Sequence, residues 1–368
     1  IFHLPVKNKD DSSVIRSFID IIESTQDGEV QFLNARFGEF TISKFPHTGD
    51  QPAVGIDFSH SKFDKVDFSG IKVNTKYLKF NRCLFTSGIC FENIVIDGKT
   101  SFENSNFFGP VNCVNSNFNG GLNFSSTTFK NKSNFSNIVV SEEFDFGSAL
   151  LLERSGAEFE EDTIFREIKI LGEATFKWAT FNRDADFAWS EFDKGADFAG
   201  AKFSGANAEF GDTVAFSNDF FESINFFKAQ FRRVLFETNF RDDANFSRVN
   251  FDGLSIFTDS VFKSDAEFEE AEFSSETHFK SVEFEKGYNF KRARFNKSAQ
   301  FKNTSLSNGQ FEGADLTDAI LDGISAQDVN LESALLSRAN LFNADLRGAK
   351  LSGAVLGDVR IDEDTKFL

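Results

Sequence analysis

Phenylalanine recurs along this chain at alternating steps of five and six residues. From Phe246 the rungs continue through Phe251, Phe257, Phe262, Phe268, Phe273, Phe279, Phe284, Phe290 and Phe295 to Phe301. Neither an α-helix nor a flat strand returns a side chain to the same side at that interval. The alternation also runs from Phe91 to Leu151, where only Ile96, Cys113, Val140 and Leu151 replace the ring, and from Phe176 to Phe203. With 52 Phe among 368 residues, against two Tyr and two Trp, the ring is a building unit.

Beyond Phe311 the step becomes a strict five and the residue becomes leucine, through Leu316, Leu321, Leu331, Leu336, Leu341, Leu346, Leu351 and Leu356 to Ile361, with Ala326 as a weak member. Two positions before these rungs stand small residues such as Ala314, Ala319, Ala334 and Ala344. Side chains alternate along an extended segment, so a rung and the residue two before it share the inner side. The polar residues that follow, such as Asp193-Lys194-Gly195, turn the corner. Four such sides close a square coil. Residue i should then lie on i+20 where the step is five and on i+22 where it alternates, and each six-residue step should carry an extra corner residue.

The segments Ala-Asp-Phe-Ala-Gly-Ala-Lys-Phe at 196–203 and Ala-Asn-Leu-Phe-Asn-Ala-Asp-Leu-Arg-Gly-Ala-Lys-Leu-Ser-Gly-Ala at 339–354 resemble pentapeptide repeats. The resemblance covers about four fifths of the chain and implies an all-β fold, a right-handed quadrilateral parallel β-helix. The Phe-rich ladder and its six-residue steps depart from the usual motif.

Residues 1–29 read as an N-terminal cap. Asp11-Ser12-Ser13 precede Val14, Phe18, Ile21 and Ile22, which share one face of a short capping helix at about 14–24. The array spans 30–361, broken by a loop at 45–53 that contains Pro46, Gly49 and Pro52, and residues 362–368 form a tail. The rhythm slips at Leu151 to Phe159, Phe203 to Phe210 and Phe236 to Phe240. Stacked arrays need covered or polar ends, so the last coil, with Leu351, Val355, Leu356 and Ile361, is a candidate self-association end for a homodimer.

The formal charge of −18 disfavours direct binding to nucleic acid or anionic lipid and favours a basic protein partner. No apolar run is long enough to span a bilayer, and no signal peptide is visible. With the three cysteines in no disulfide or metal spacing, a cytoplasmic location is expected. Cys83 and Cys113 sit at inward positions, whereas Cys90 faces outward. Four scattered histidines give no metal site, no phosphate loop or nucleophile motif is present, and no cofactor is expected. Trp178 and Trp189, each two after a rung, are expected on the surface.

Acidic residues concentrate at Glu142, Glu143, Asp145, Glu158, Glu160, Glu161 and Asp162, the candidate interaction surface, and again between Glu312 and Asp364. Such carboxylates solvate a large surface. A negative rod also has the charge character of a duplex, which would decoy a DNA-binding protein. Paired carboxylates on a β-helix also suit a carbohydrate-active enzyme, but short uniform corners leave little room for a cleft. The composite expectation is a non-enzymatic binding or scaffold protein. The resemblance adds a named alternative, since some relatives are DNA mimics that bind DNA gyrase and confer quinolone resistance.

Overall fold

The structure, a computed structural model, describes residues 20–22, 25, 28–43, 54–148, 155–187, 189–204, 214–216, 219–220, 223–236 and 238–367. The chain divides into two compact units, Ile1–Asp186 with Ser190–Lys194, and Phe187–Trp189 with Gly195–Leu368.

In the first unit, strands of two or three residues, with Arg36–Thr41 and Lys62–Asp67 longer at six, stack in parallel into four walls, here numbered within each unit in chain order. On the second wall Leu84–Phe85 pairs with Asn106–Phe107, and that pair with Thr128–Phe129. The register between successive coils is therefore 22, as the alternating steps require. The fold is a β-solenoid whose inner positions are closed to solvent: Phe80, Phe85, Phe91, Phe102 and Phe107 are all fully buried.

The rings form columns. On the first wall Phe80, Phe102 and Phe124 stack face to face at 5.1 and 4.7 Å, close to the spacing of adjacent strands. Rings of neighbouring walls meet edge to face, as Phe102 and Phe107 do at 5.7 Å and 60°. Both arrangements suit the aromatic quadrupole, each pair adding about 0.5–1.5 kcal/mol beyond the area buried.

The corners explain the two step lengths. After Phe80, Phe91, Phe102 and Cys113, which open five-residue steps, the residue two positions on is left-handed: Arg82, Asn93, Asn104 and Asn115 have φ of 55–56°. After Phe102 the successor of this residue donates back to the rung carbonyl, Ser105 to Phe102 at 3.1 Å, which closes a tight turn. After Phe80 and Phe91, by contrast, the Cys83 and Ile94 N–H groups donate to the Ser105 and Ser116 hydroxyls of the next coil at 2.9 and 3.1 Å. Every left-handed non-glycine among the described residues occupies this place. Six-residue steps use a wider corner whose left-handed member, where there is one, is a glycine such as Gly88 or Gly121.

In the second unit the register is again 22 from Asn250 to Glu272 to Arg294. It falls to 21 from Arg294 to Asp315, then to 20 from Asp315 through Leu335 to Val355. The transition coincides with the change from Phe to Leu. All four corners of these later coils are tight, with Asn308, Gly313, Asp318 and Gly323 left-handed in one coil. Tyr288 fills the contracting coil, its ring lying where a Cβ on Gly309 would stand, 2.4 Å away.

Two lengthened steps widen the register locally, to 30 at Thr128↔Glu158 and 28 at Lys202↔Gln230. The four-residue step from Phe236 to Phe240 is also built into the wall: both rings stay buried, stacked on Phe257 and Phe262. Most of the expected helix at 14–24 and the whole loop at 45–53 lie outside the described residues. Of that helix, residues 20–22 are helical and Ile22 is buried. Residues 362–367, read from sequence as a tail, continue the coil instead: Lys366 pairs with Asp345, and the Thr365 hydroxyl donates to the Leu341 carbonyl at 2.9 Å. The six-residue step from Ile361 to Phe367 hid this continuation, because the preceding coils use a step of five.

Candidate functional site

With the interior filled, chemistry is confined to the residue before each rung and to the corners. The residue before the rung often serves the fold. Asn123, Asn134, Asp145, Asp197 and Asn245 each accept the N–H two positions on, at 2.7–3.0 Å, and so cap the corner. Asp145 is thus a structural cap as well as a member of the acidic group. Burial pushes its carboxyl up to about 6, against the Gly147 N–H that it accepts, and Glu143 adds to the rise.

The acidic residues picked out by sequence do not form one surface. Glu142 and Glu143 stand at the corner leading to the first wall, and Asp145 lies on that wall, paired across the sheet with Asn123. Glu158 lies on the second wall beside Thr128, and Glu160, Glu161 and Asp162 turn the next corner. Since a coil visits its four walls in order, these two corners face away from each other.

Three of these seven carboxylates have basic partners. Lys99 pairs with Glu143 at 2.7 Å, Lys132 with Asp162 at 2.9 Å, and Lys130 with Glu160. Glu158 accepts from the Asn182 amide at 3.2 Å. The same pattern continues with Arg166–Asp186 and Lys169–Glu191, and, in the second unit, Arg248–Glu270 and Arg338–Asp318. Such exposed pairs contribute little to stability; their larger effect is to break up any continuous negative row. The partners were missed in the sequence because they lie one or two coils earlier. Reading charges at a separation of 22, as for Lys169 and Glu191 or Arg248 and Glu270, would have found several of them. Glu142 and Glu161 make no ion pair among the described residues.

Other outward groups are scattered. Trp189 is 60% exposed at a left-handed corner, whereas Trp178 is half-buried. Phe108 is 52% exposed on the second wall. Cys83 and Cys113 are buried, and burial lifts the Cys83 thiol to about 12, so neither is a nucleophile near neutral pH. Cys90 is half-buried and accepts the Ser69 hydroxyl at 3.0 Å. Among the described residues no group of three or more His, Cys, Asp and Glu is placed to hold a metal ion, and no helix is long and apolar enough to cross a membrane.

The Leu-filled coils enclose a narrow axial cavity of about 20 Å³, lined only by apolar side chains from Leu306 to Leu356 and Phe367. Near it, apolar residues of the coil at 347–367 are exposed: Val355 is 46% and Ile361 51% exposed, and Leu356 and Phe367 are also exposed. Leu351, fourth of the residues picked out there by sequence, is half-buried.

Comparison with known proteins is consistent in kind. One family model, pentapeptide repeats in nine copies, matches residues 80–128, 155–202 and 235–283, and a second, in eight copies, matches 297–332 and 319–358. Together they cover more than half of the chain. No curated protein matches in sequence. Among solved structures the chain is similar to a pentapeptide repeat protein, Rfr23, of the cyanobacterium Cyanothece 51142: 24% identity, 28% of this chain and 64% of that one, TM-score 0.21. It is also similar to HetL of Nostoc, described as involved in heterocyst differentiation regulation, at 18% identity over 77% and 86% with a TM-score of 0.16. A third is QnrB1, a plasmid-mediated fluoroquinolone resistance protein, at 15% identity over 79% and 92% with a TM-score of 0.23. The chain thus spans slightly less than two thirds of the Rfr23 structure. At these scores none of the three carries a functional argument to this chain.

Proposed function

Because the chain belongs to the pentapeptide repeat family, we propose that it is a non-enzymatic scaffold that recognises a basic protein partner through its outward corners. The observation that supports this reading is the column filling. Side chains at rung positions and two before them occupy the interior coil after coil, so recognition falls to outward residues held at fixed spacing. Glu142 and Glu161, carboxylates without an ion pair here, are the members of the acidic set best able to meet an incoming cation. Their positions on separate corners make two independent contact edges.

The test is retrieval of a binding partner with the immobilised full chain, followed by charge reversal at each edge. Glu142→Lys with Glu143→Lys, or Glu158→Lys with Glu161→Lys, should abolish capture by one edge and spare the other. Capture insensitive to both would refute the acidic corners as the contact. The lysines interleaved with the carboxylates do not favour the duplex-decoy alternative. Little inhibition of DNA gyrase supercoiling is therefore expected, and strong inhibition lost on reversal of Glu160, Glu161 and Asp162 would replace the scaffold reading.

A further inference from the structure

We infer that the second wall of the first unit, around Phe108, binds a neutral glycan chain, at a place and through chemistry separate from the acidic corners. The first observation is electrostatic. No charged residue stands between Asn104 and Phe129, a stretch longer than one coil of register 22, in a chain with 26% charged residues and a net charge of −18. The two lysines just beyond it, Lys130 and Lys132, are neutralised by Glu160 and Asp162 of the next coil. This surface therefore selects for a ligand without charge.

The second observation is what stands there. Phe108 follows a rung and is 52% exposed, and its ring meets no other ring among the described residues. Asn106, also exposed, precedes the same rung and so shares the outward side of the strand with Phe108. Thr128 lies beside Asn106 in the sheet, at the strand spacing of roughly 4.8 Å. Other asparagines of this stretch serve the fold, Asn104 and Asn115 as left-handed corners and Asn123 as a cap. The Asn106 amide and the Thr128 hydroxyl, by contrast, have no hydrogen-bond partner among the described residues.

These groups narrow the ligand class. The strand Asn106–Phe107 is paired on both sides, so an extended peptide finds no backbone edge to add to. A nucleic acid would bring phosphates to an acidic chain and meet no free cation in the patch. A sugar suits it on both counts. Its C–H face lies against the exposed ring, whose own face is negative, and its hydroxyls, each donor and acceptor, match an amide and a threonine hydroxyl. Leu84, Asn106 and Thr128 follow one another along the wall, bounded by Lys62 and Glu158, so a linear chain laid along the coil axis contacts three coils.

Isothermal titration of the full chain with cellohexaose, laminarihexaose, mannohexaose and chitohexaose, all neutral, should give saturable binding of at least one, unchanged between low and high salt. Phe108→Ala should keep the far-ultraviolet spectrum and weaken that binding about tenfold, and Asn106→Ala should weaken it less. On the unaltered chain, the nuclear magnetic resonance of the Asn106 side-chain amide should shift with the same glycan, which keeps the test decisive if a variant folds poorly. Capture of a basic protein partner should be untouched by Phe108→Ala, so this proposal and the acidic corners fail separately. Binding of none of the four glycans, equal binding by Phe108→Ala, or binding lost in high salt would each overturn the proposal.

Discussion

Within the second unit, coils filled by phenylalanine and coils filled by leucine obey different corner rules. From Phe246 to Phe290 successive coils keep a register of 22, alternating tight and wide corners, and their rings stack at 4.5–5.1 Å. From Leu316 to Leu356 the register is 20, with four tight corners and an axial cavity in place of the rings. Side-chain volume and perimeter change together, which teaches that the core sets the corner. In these coils four large rings go with the added corner residues, whereas leucines fill the smaller square. The coil from Phe226 to Phe246 shows the limit. It holds four rings while Ile224 pairs with Ala244, a register of only 20, by shortening one step to four, and Thr238 at that corner is buried.

The most direct way to break this comparison is to place leucine in a coil of register 22. Phe268 stacks on Phe246 at 4.8 Å and on Phe290 at 4.5 Å, and meets Phe257 and Phe279 edge on. Phe268→Leu removes these contacts and leaves a void that the wide corners hold open, at a cost of about 2–3 kcal/mol. Denaturant unfolding and hydrogen exchange around residues 246–290 would read the loss. A cost near zero would mean that the coil shrinks to suit leucine, and that the core does not set the corner.

Cap carboxylates differ between the two kinds of coil, and with opposite sign. In a Phe-filled coil, Asp145 has its carboxyl raised to about 6 by burial. A raised carboxyl favours folding only while protonated, so that contribution is present below about pH 4 and lost as pH climbs through 6. Asn fills the equivalent place in the preceding coil and keeps the cap, as Asn123 does for Ser125. Asp145→Asn should therefore match the wild type at pH 4 and exceed it at pH 7 by roughly 2 kcal/mol. In a Leu-filled coil, the Arg347 guanidinium bonded to Asp345 holds that carboxyl well below the usual range. Asp345→Asn should show the reverse, being the less stable at neutral pH and converging with the wild type in acid. Stability measured against pH for the two variants gives curves of opposite slope, and parallel curves would contradict the difference in environment.

The architecture was legible because it is periodic. Phe246 to Phe301 and Leu316 to Ile361 announce the walls, and the 5–6 alternation gives the register of 22. The contacts between coils were less legible, because Lys99 meets Glu143 two coils away and Lys130 meets Glu160 across an irregular step. The acidic cluster near residue 150 was contiguous in sequence and divided in space, since a coil carries Glu143 and Glu158 to separate walls within a few corners. Thr365 and Phe367 were lost to the one late six-residue step.

Reversing the first substitution gives a smaller effect. Leu331 belongs to the column that follows Phe290 and Phe311, and it borders the axial cavity. Leu331→Phe gains a stacking contact with Phe311 of about 0.5–1.5 kcal/mol. It also overpacks a coil whose four tight corners cannot spread, at about 1–3 kcal/mol. A net loss of about 1 kcal/mol is expected in denaturant unfolding. A gain would show that the void, and not the perimeter, limits these coils.

The smallest effect concerns the position two before the rung, where the Phe-filled coils often use alanine or a hydroxyl. Ser116 donates to the Phe91 carbonyl of the coil before at 2.5 Å and accepts the Ile94 N–H at 3.1 Å, so its hydroxyl stands inside the preceding turn. Where alanine takes the place, the turn closes on itself, as Ala271 does on Phe268 at 3.1 Å and Ala293 on Phe290 at 3.0 Å. Ser116→Ala therefore need not strand a buried donor, because Ile94 has the Phe91 carbonyl within the same turn. The cost should stay at about 1 kcal/mol or less, the net worth of one exchanged hydrogen bond. Ser260 also bridges its turn, donating to the Phe236 carbonyl at 2.9 Å and accepting the Thr238 N–H at 3.3 Å. Across the four-residue step, however, that N–H lies only two residues from the carbonyl, too few for the same turn to close between them. Ser260→Ala should cost measurably more than Ser116→Ala in the same assay. Equal costs would mean that the short step closes its own turn when the hydroxyl is removed.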